Sequence, residues 1–161
     1  MVVNQSRMLQ MVFLLTLTLL SHGAWSGPAI QSWKTQNGAR VLFVQAPDLP
    51  MVDVRVVFDA GSARDGDKPG LSQLTNALLT EGAGEWNADQ IAQRMDSVGA
   101  NMGSGGMRDM AWVSLRTLPQ KDAYTASVTT LARILDSPTF PAAALERNRQ
   151  IYSRLLSRDA K

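Results

Sequence analysis

The chain contains no cysteine, and its only histidine, His22, falls in a segment with the pattern of a removable export leader. Disulfides are therefore impossible, and once the leader is gone no histidine or thiolate remains to build a structural zinc centre. Whatever fold forms must be held by burial of apolar side chains. The same absence removes thiol catalysis and most zinc chemistry from the mature protein.

The leader has three parts: Arg7 in a polar start, an apolar run over residues 11–20, and residues 21–26 with small side chains at Ala24 and Ser26. Ten apolar residues are about half of the ~20 that a bilayer-spanning helix needs. Residues 1–26 are thus expected to be a signal peptide cleaved after Ser26, which places the product in a bacterial periplasm or outside the cell, with no membrane attachment afterwards. Residues 27–161 then form one ordinary domain. Arg7 is the only charge lost, so 15 basic side chains face 14 acidic ones and no basic stripe for nucleic acid remains. The charged ending at residues 157–161, directly after the last predicted helix, implies an incomplete domain.

Residues 40–45 are apolar-rich after an Asn37-Gly38 turn signal, and residues 52–58 alternate Val52, Val54, Val56 and Phe58 with Asp53 and Arg55. Together they read as a β-hairpin or meander connected through Pro47 and Pro50. A loop of turn formers, residues 60–70, leads into a helix over roughly 71–80. There Leu71, Leu74 and Leu78 form an apolar stripe for the sheet, while Gln73, Asn76, Ala77 and Thr80 form the neighbouring face. Asn87 with Gln90 resembles a capping box ahead of Ile91, Met95 and Val98, and Gly99 stops that helix.

Residues 100–104 read as a short edge strand followed by a Gly105-Gly106 turn, and residues 110–117 as a clearer strand with Ala111, Val113 and Leu115 on one face. Two helices close the chain. Residues 123–136 are expected to bury Val128, Leu131 and Leu135, and Pro141 opens a helix carrying Leu145, Tyr152 and Leu156. The order ββ-α-α-ββ-α-α predicts an α+β two-layer sandwich, an antiparallel or mixed sheet with helices on one face.

Five stretches then fall into a known order: Asn37-Gly38-Ala39-Arg40-Val41, Val56-Val57-Phe58-Asp59-Ala60-Gly61-Ser62, Pro69-Gly70-Leu71-Ser72-Gln73-Leu74, Thr80-Glu81-Gly82 and Asp96-Ser97-Val98-Gly99-Ala100. In order and spacing they resemble the amino-terminal domain of the pitrilysin, insulinase and mitochondrial processing peptidase family, through Leu145-Glu146-Arg147. The resemblance implies a processing-peptidase-like metallohydrolase fold, here a partial domain.

Active members of that family carry H-x-x-E-H on the helix after the Gly-Leu step, with two histidine zinc ligands and a glutamate base. The matching stretch here is Gln73-Leu74-Thr75-Asn76-Ala77, which puts Gln73 and Ala77 at the ligand positions and Asn76 at that of the base. Glu146 matches a supporting glutamate, and seven residues on, where the third ligand stands in the family, this chain has Ser153. Neutral amides bind zinc poorly and alanine has no ligand atom. The resemblance therefore implies no catalytic residues and no zinc of its own, and a non-catalytic relative of the zinc peptidases. As such it would pair as a heterodimer with an active homologous subunit or form part of a substrate chamber.

Asn101, Met102, Gly103 and Ser104 match the family's substrate-aligning strand, where an extended peptide would bind through backbone hydrogen bonds; the glycines there equally fit a flexible turn. An autonomous peptide-binding or scaffold protein, or a zinc-dependent endopeptidase despite the substitutions, are the competing readings. Gly103-Ser104-Gly105-Gly106 lacks the Lys-Ser/Thr ending of a phosphate loop. Asp59, Asp65 and Asp67 lack the spacing of a calcium loop and are expected to be solvated. The roles of Trp86 and Trp112 stay open at this level.

Overall fold

Ala111, Val113, Leu115 and Thr117 alternate with Trp112, Ser114 and Arg116, and this period of two becomes the central strand of the sheet. The computed structural model describes residues 27–159, with side chains to residue 154; the predicted leader, His22 and the Leu156 side chain lie outside the described residues. The chain divides into two units, Met1–Leu49 and Pro50–Lys161. The described part of the first is a hairpin of β1 (Ile30–Lys34) and β2 (Arg40–Val44), antiparallel with Trp33 opposite Val41. Gly38, at φ 87°, makes its turn. The Trp33 and Phe43 rings lie 6.5 Å apart.

The second unit contains β3 (Val52–Phe58), a 3-10 turn (Ser62–Arg64), α1 (Leu71–Leu78), the short pair β4 (Gly82–Ala83) and β5 (Trp86–Asn87), α2 (Ala88–Asp96), β6 (Asn101–Gly106), β7 (Ala111–Thr117), α3 (Lys121–Asp136) and α4 (Ala142–Asp159). β7 pairs antiparallel with β3 on one side and β6 on the other, giving the order β3-β7-β6. The antiparallel sheet with helices over one face is the α+β sandwich expected. Two details differ. The run at 40–45 pairs with Ile30–Lys34, which alternates too weakly to be read as a strand, and not with residues 52–58, whose partner is β7.

The core forms where α2 and α3 cover the inner face of β7. Met95, Ala100, Val113, Leu115 and Leu131 make one buried cluster, and Ala83, Ile91 and Ile134 a second. Helix α3 turns Ser127, Thr130, Leu131 and Ile134 fully inward, whereas Val128 and Leu135 are half-buried at its flank. The helix is rotated because Thr117 ends the inner row of β7 with a hydroxyl. The Ser127 hydroxyl lies 2.9 Å from it, and polar groups inside a core need such partners. Leu145 is exposed while Ala144 is buried, so α4 is also turned from the expected face.

Helix α2 begins as the sequence predicts. The Asn87 side chain accepts from the Gln90 N–H at 2.9 Å and the Gln90 side chain accepts from the Asn87 N–H at 3.0 Å, and Gly99 leaves the helix region at φ 64°. Helix α1 starts differently, on a remote carboxylate: Asp65 is buried and accepts from the Gly70 N–H at 2.9 Å and the Ser72 N–H at 2.8 Å. Asp65 is therefore a helix anchor, not a solvated loop acid. Asp59 pairs with Arg64, and Asp67 is exposed. The turn carrying Asp65 is itself held to the β6–β7 loop. Ser62 N–H donates to Met107 O at 3.1 Å and Ala63 N–H to Arg108 O at 2.8 Å, across a contact in which a Cβ on Gly61 would fall 2.5 Å from Met107 O.

Strand β6 runs through Gly105 and Gly106, which form strand and not a turn; residues 107–109 make the reversal, closed by Met107 N–H to Met110 O at 2.7 Å. Glycine-rich strands are weak unless neighbours cover the bare backbone. Trp112 supplies that cover: it stands opposite Gly105, and a Cβ there would come 2.5 Å from Cζ2 of the ring. Arg55 stacks on the same ring at 4.9 Å. Ser114 Oγ donates to Gly103 O at 3.3 Å.

Two outcomes follow for stability. Burial tends to raise the Asp65 pKa, but the backbone donors at Ser72 and Gly70 overcome it and hold the group below its ordinary 3.8. A depressed folded pKa contributes stability above the ordinary value that is lost as pH falls through the folded one. Asp65→Ala should therefore melt lower than wild type at pH 7, with the gap closing as pH falls below 3.8, as followed by circular dichroism. Separately, Gly105→Val should cost about 1–3 kcal/mol by overpacking against Trp112. Combined with Trp112→Ala it should cost less than the sum of the single changes in denaturant titrations.

Candidate functional site

The packing of α1 against both β6 and α4 determines what the H-x-x-E-H positions face. Leu71 and Leu74 do not lie on the sheet as the stripe predicts: Leu71 is exposed, Leu74 half-buried, and both line a cleft between α1 and α4. Leu78 is buried. The cleft, about 320 Å³, is walled by Lys68, Pro69, Gly70, Gln73, Arg149, Tyr152 and Ser153 as well. Gln73 and Ser153, far apart in sequence, thus line the same cleft. Tyr152 and Arg149 are wall residues that the motif comparison missed; for Arg149, one helical turn before Ser153, that spacing was the available signal.

Asn76 behaves differently. It is buried and not on a solvated face; its Nδ2 donates to Ser72 O at 2.9 Å, and Ser104 Oγ on β6 donates to its backbone carbonyl at 3.1 Å. The same residue lines a second cleft of about 460 Å³ with Phe58, Leu79, Leu135 and Phe140. Ala77 is half-buried and lines neither cleft. The four degenerate positions are thus divided: Gln73 and Ser153 share a cleft, and Asn76 is turned into the packing between α1 and the sheet. Of these positions on α1, only Gln73 is exposed.

The donor set there does not fit zinc. A carboxamide, a methyl group and a hydroxyl replace imidazoles and carboxylate, and the Ser153 hydroxyl already donates to Gln150 O at 3.0 Å. Among the described residues no group of three or more His, Cys, Asp or Glu side chains could hold a metal ion. Glu146 lies outside the cleft, exposed, bonded to Arg149 at 3.2 Å and accepting from Gln150 Nε2 at 3.2 Å. Glu81 is the better-anchored carboxylate nearby, accepting from Arg147 at 2.7 Å, which ties the end of α1 to α4.

Asn101, Met102, Gly103 and Ser104 all lie on β6, at the end of the sheet order and without a second strand partner among the described residues. Met102 packs against the core and Ser104 reaches toward α1, so Asn101 and Gly103 are the outward pair. On the outer face Asn101 stands opposite Arg116, which forms a bidentate pair with Asp53 at 2.7 and 2.8 Å. The Arg116 hydrogen bond holds the Asp53 carboxyl below its usual range. The Gly103-Ser104-Gly105-Gly106 stretch is extended strand, which excludes a phosphate loop. Among the described residues no helix is long and apolar enough to cross a membrane.

The family model for insulinase (peptidase family M16) matches residues 40–158. Among solved structures, the chain is similar to a peptidase M16 inactive domain from Pseudomonas fluorescens, with 43% identity and a TM-score of 0.74 over 76% of this chain and 30% of that one. It also shares a fold with a protease from Helicobacter pylori, at 18% identity and a TM-score of 0.67 over 78% of this chain and 30% of that one. The chain thus spans about a third or less of those proteins. No curated protein matches it. The family model covers most of the chain, and this protein belongs to the insulinase family, peptidase family M16.

Proposed function

We propose that the chain is a non-catalytic member of its family that serves as a partner or chamber-forming subunit of an active, exported peptidase. The observation that carries this reading is the cleft between α1 and α4, where Gln73 and Ser153 meet with no imidazole or carboxylate to bind zinc and with Asn76, at the base position, turned away. The similar Pseudomonas fluorescens domain is itself described as inactive, which supports the same reading. The fold around the lost centre is kept, and a kept fold without chemistry suits a role in assembly and substrate holding. The leader pattern in residues 1–26 supports export to the periplasm.

A second reading, autonomous peptide binding, is favoured by the edge of β6 that has no strand partner among the described residues. An extended peptide could add there through main-chain hydrogen bonds.

The test is to recover the tagged protein from periplasmic extract with whatever associates, and to assay peptide hydrolysis with and without a chelator beside the purified chain alone. The accessory role predicts hydrolysis only in the presence of an H-x-x-E-H homologue, abolished by the chelator. Chelator-sensitive hydrolysis by the chain alone would contradict it. For the second reading, peptide affinity without a partner is expected to fall in Gly103→Pro while its melting curve stays cooperative; unchanged affinity would remove β6 as the site.

A further inference from the structure

Trp86, on the short strand β5, is half-buried and carries two cations on its ring: Cζ of Arg94 lies 3.9 Å from the ring centroid and Cζ of Arg133 5.6 Å. The arginines come from the last turns of α2 and α3, where the helix dipole favours positive charge. The hairpin that presents Trp86 is fixed in place. Ala83 is fully buried, and Gly84 N–H donates to Ser137 O at 2.8 Å. Gly84, at φ 58°, leaves room for Arg133, whose Cδ would be 3.4 Å from a Cβ at that position.

A cation–ring contact of this kind uses the charge of the guanidinium and not its N–H donors. Among the described residues, neither the Arg94 nor the Arg133 guanidinium donates a hydrogen bond or meets a carboxylate, unlike Arg64, Arg116, Arg147 and Arg149, each of which pairs with an acid. Each guanidinium offers five donors in a rigid fork that fits a carboxylate bidentately, and here each is already oriented by the indole. Holding such groups in place beforehand lowers the ordering cost of binding.

We propose that Arg94 and Arg133, oriented on Trp86, form a docking point for an acidic protein segment bearing two neighbouring carboxylates. Two forks beside one indole suit two carboxylates spaced along a chain better than a single small anion, and arginine and tryptophan are among the side chains most often dominant at protein interfaces. This surface involves neither of the clefts on α1 nor the β6 edge, so it stands whether or not the accessory reading holds.

The experiment is a calorimetric titration of the full chain at low salt with an acetylated, amidated peptide of alternating Glu and Asp, beside its Gln/Asn counterpart and inorganic phosphate. The acidic peptide is expected to bind, with Arg94→Ala and Arg133→Ala each weakening it about tenfold or more. Arg55→Ala, which removes a guanidinium stacked on Trp112 elsewhere, should leave the affinity unchanged. If an alanine variant melts lower than wild type, Arg94→Lys and Arg133→Lys should still weaken binding, since lysine keeps the charge but loses the fork. No binding of the acidic peptide, equal binding of phosphate, or an equal loss in Arg55→Ala would each overturn the proposal.

Discussion

Strand β7 is the element on which the second unit depends. It is hydrogen-bonded on both sides, and its inner row is nearly inaccessible, with Val113 and Leu115 each 1% exposed. Fully burying side chains of this kind contributes about 1.5–3 kcal/mol apiece relative to exposure. The helices α2 and α3 reach the sheet through this row, and β6, poor in side chains of its own, exists because β7 offers a complete ladder and a tryptophan to cover its glycine. With no disulfide and no metal cluster among the described residues, nothing else replaces that burial.

The substituted motif positions cost the fold little because α1 is held by contacts that do not use their side chains. Asp65 anchors its start, Ser104 bonds the Asn76 carbonyl from β6, and Leu78 is buried near its end. An active site in this family asks α1 to present two imidazoles and a carboxylate, groups whose burial is costly unless a metal or partner satisfies them. Replacing them by a carboxamide that bonds its own helix, an exposed amide and a methyl group relieves that cost. The helix can then persist as structure after its chemistry has gone.

Much of this was legible in the chain. The alternation of residues 52–58 and 110–117, the Asn87/Gln90 box and the Gly99 stop are local signals, and local signals survive folding. What escaped was decided by tertiary partners: the extension of β6 through Gly105 and Gly106 needs Trp112 on another strand, the burial of Asp65 needs the N–H groups of a helix that had yet to be placed, and the rotation of α3 answers the Thr117 hydroxyl. The Arg94–Trp86–Arg133 stack gathers residues from three elements, and no sequence period reports it.

The central claim is that the place where this family holds its metal has become an ordinary cleft. Titration of the full chain with zinc, read by isothermal calorimetry in a non-coordinating buffer, tests it most directly. The account predicts no stoichiometric site of submicromolar affinity, and no difference between wild type and Gln73→Ala. One equivalent of zinc bound tightly, and lost in Gln73→Ala or Ser153→Ala, would contradict it.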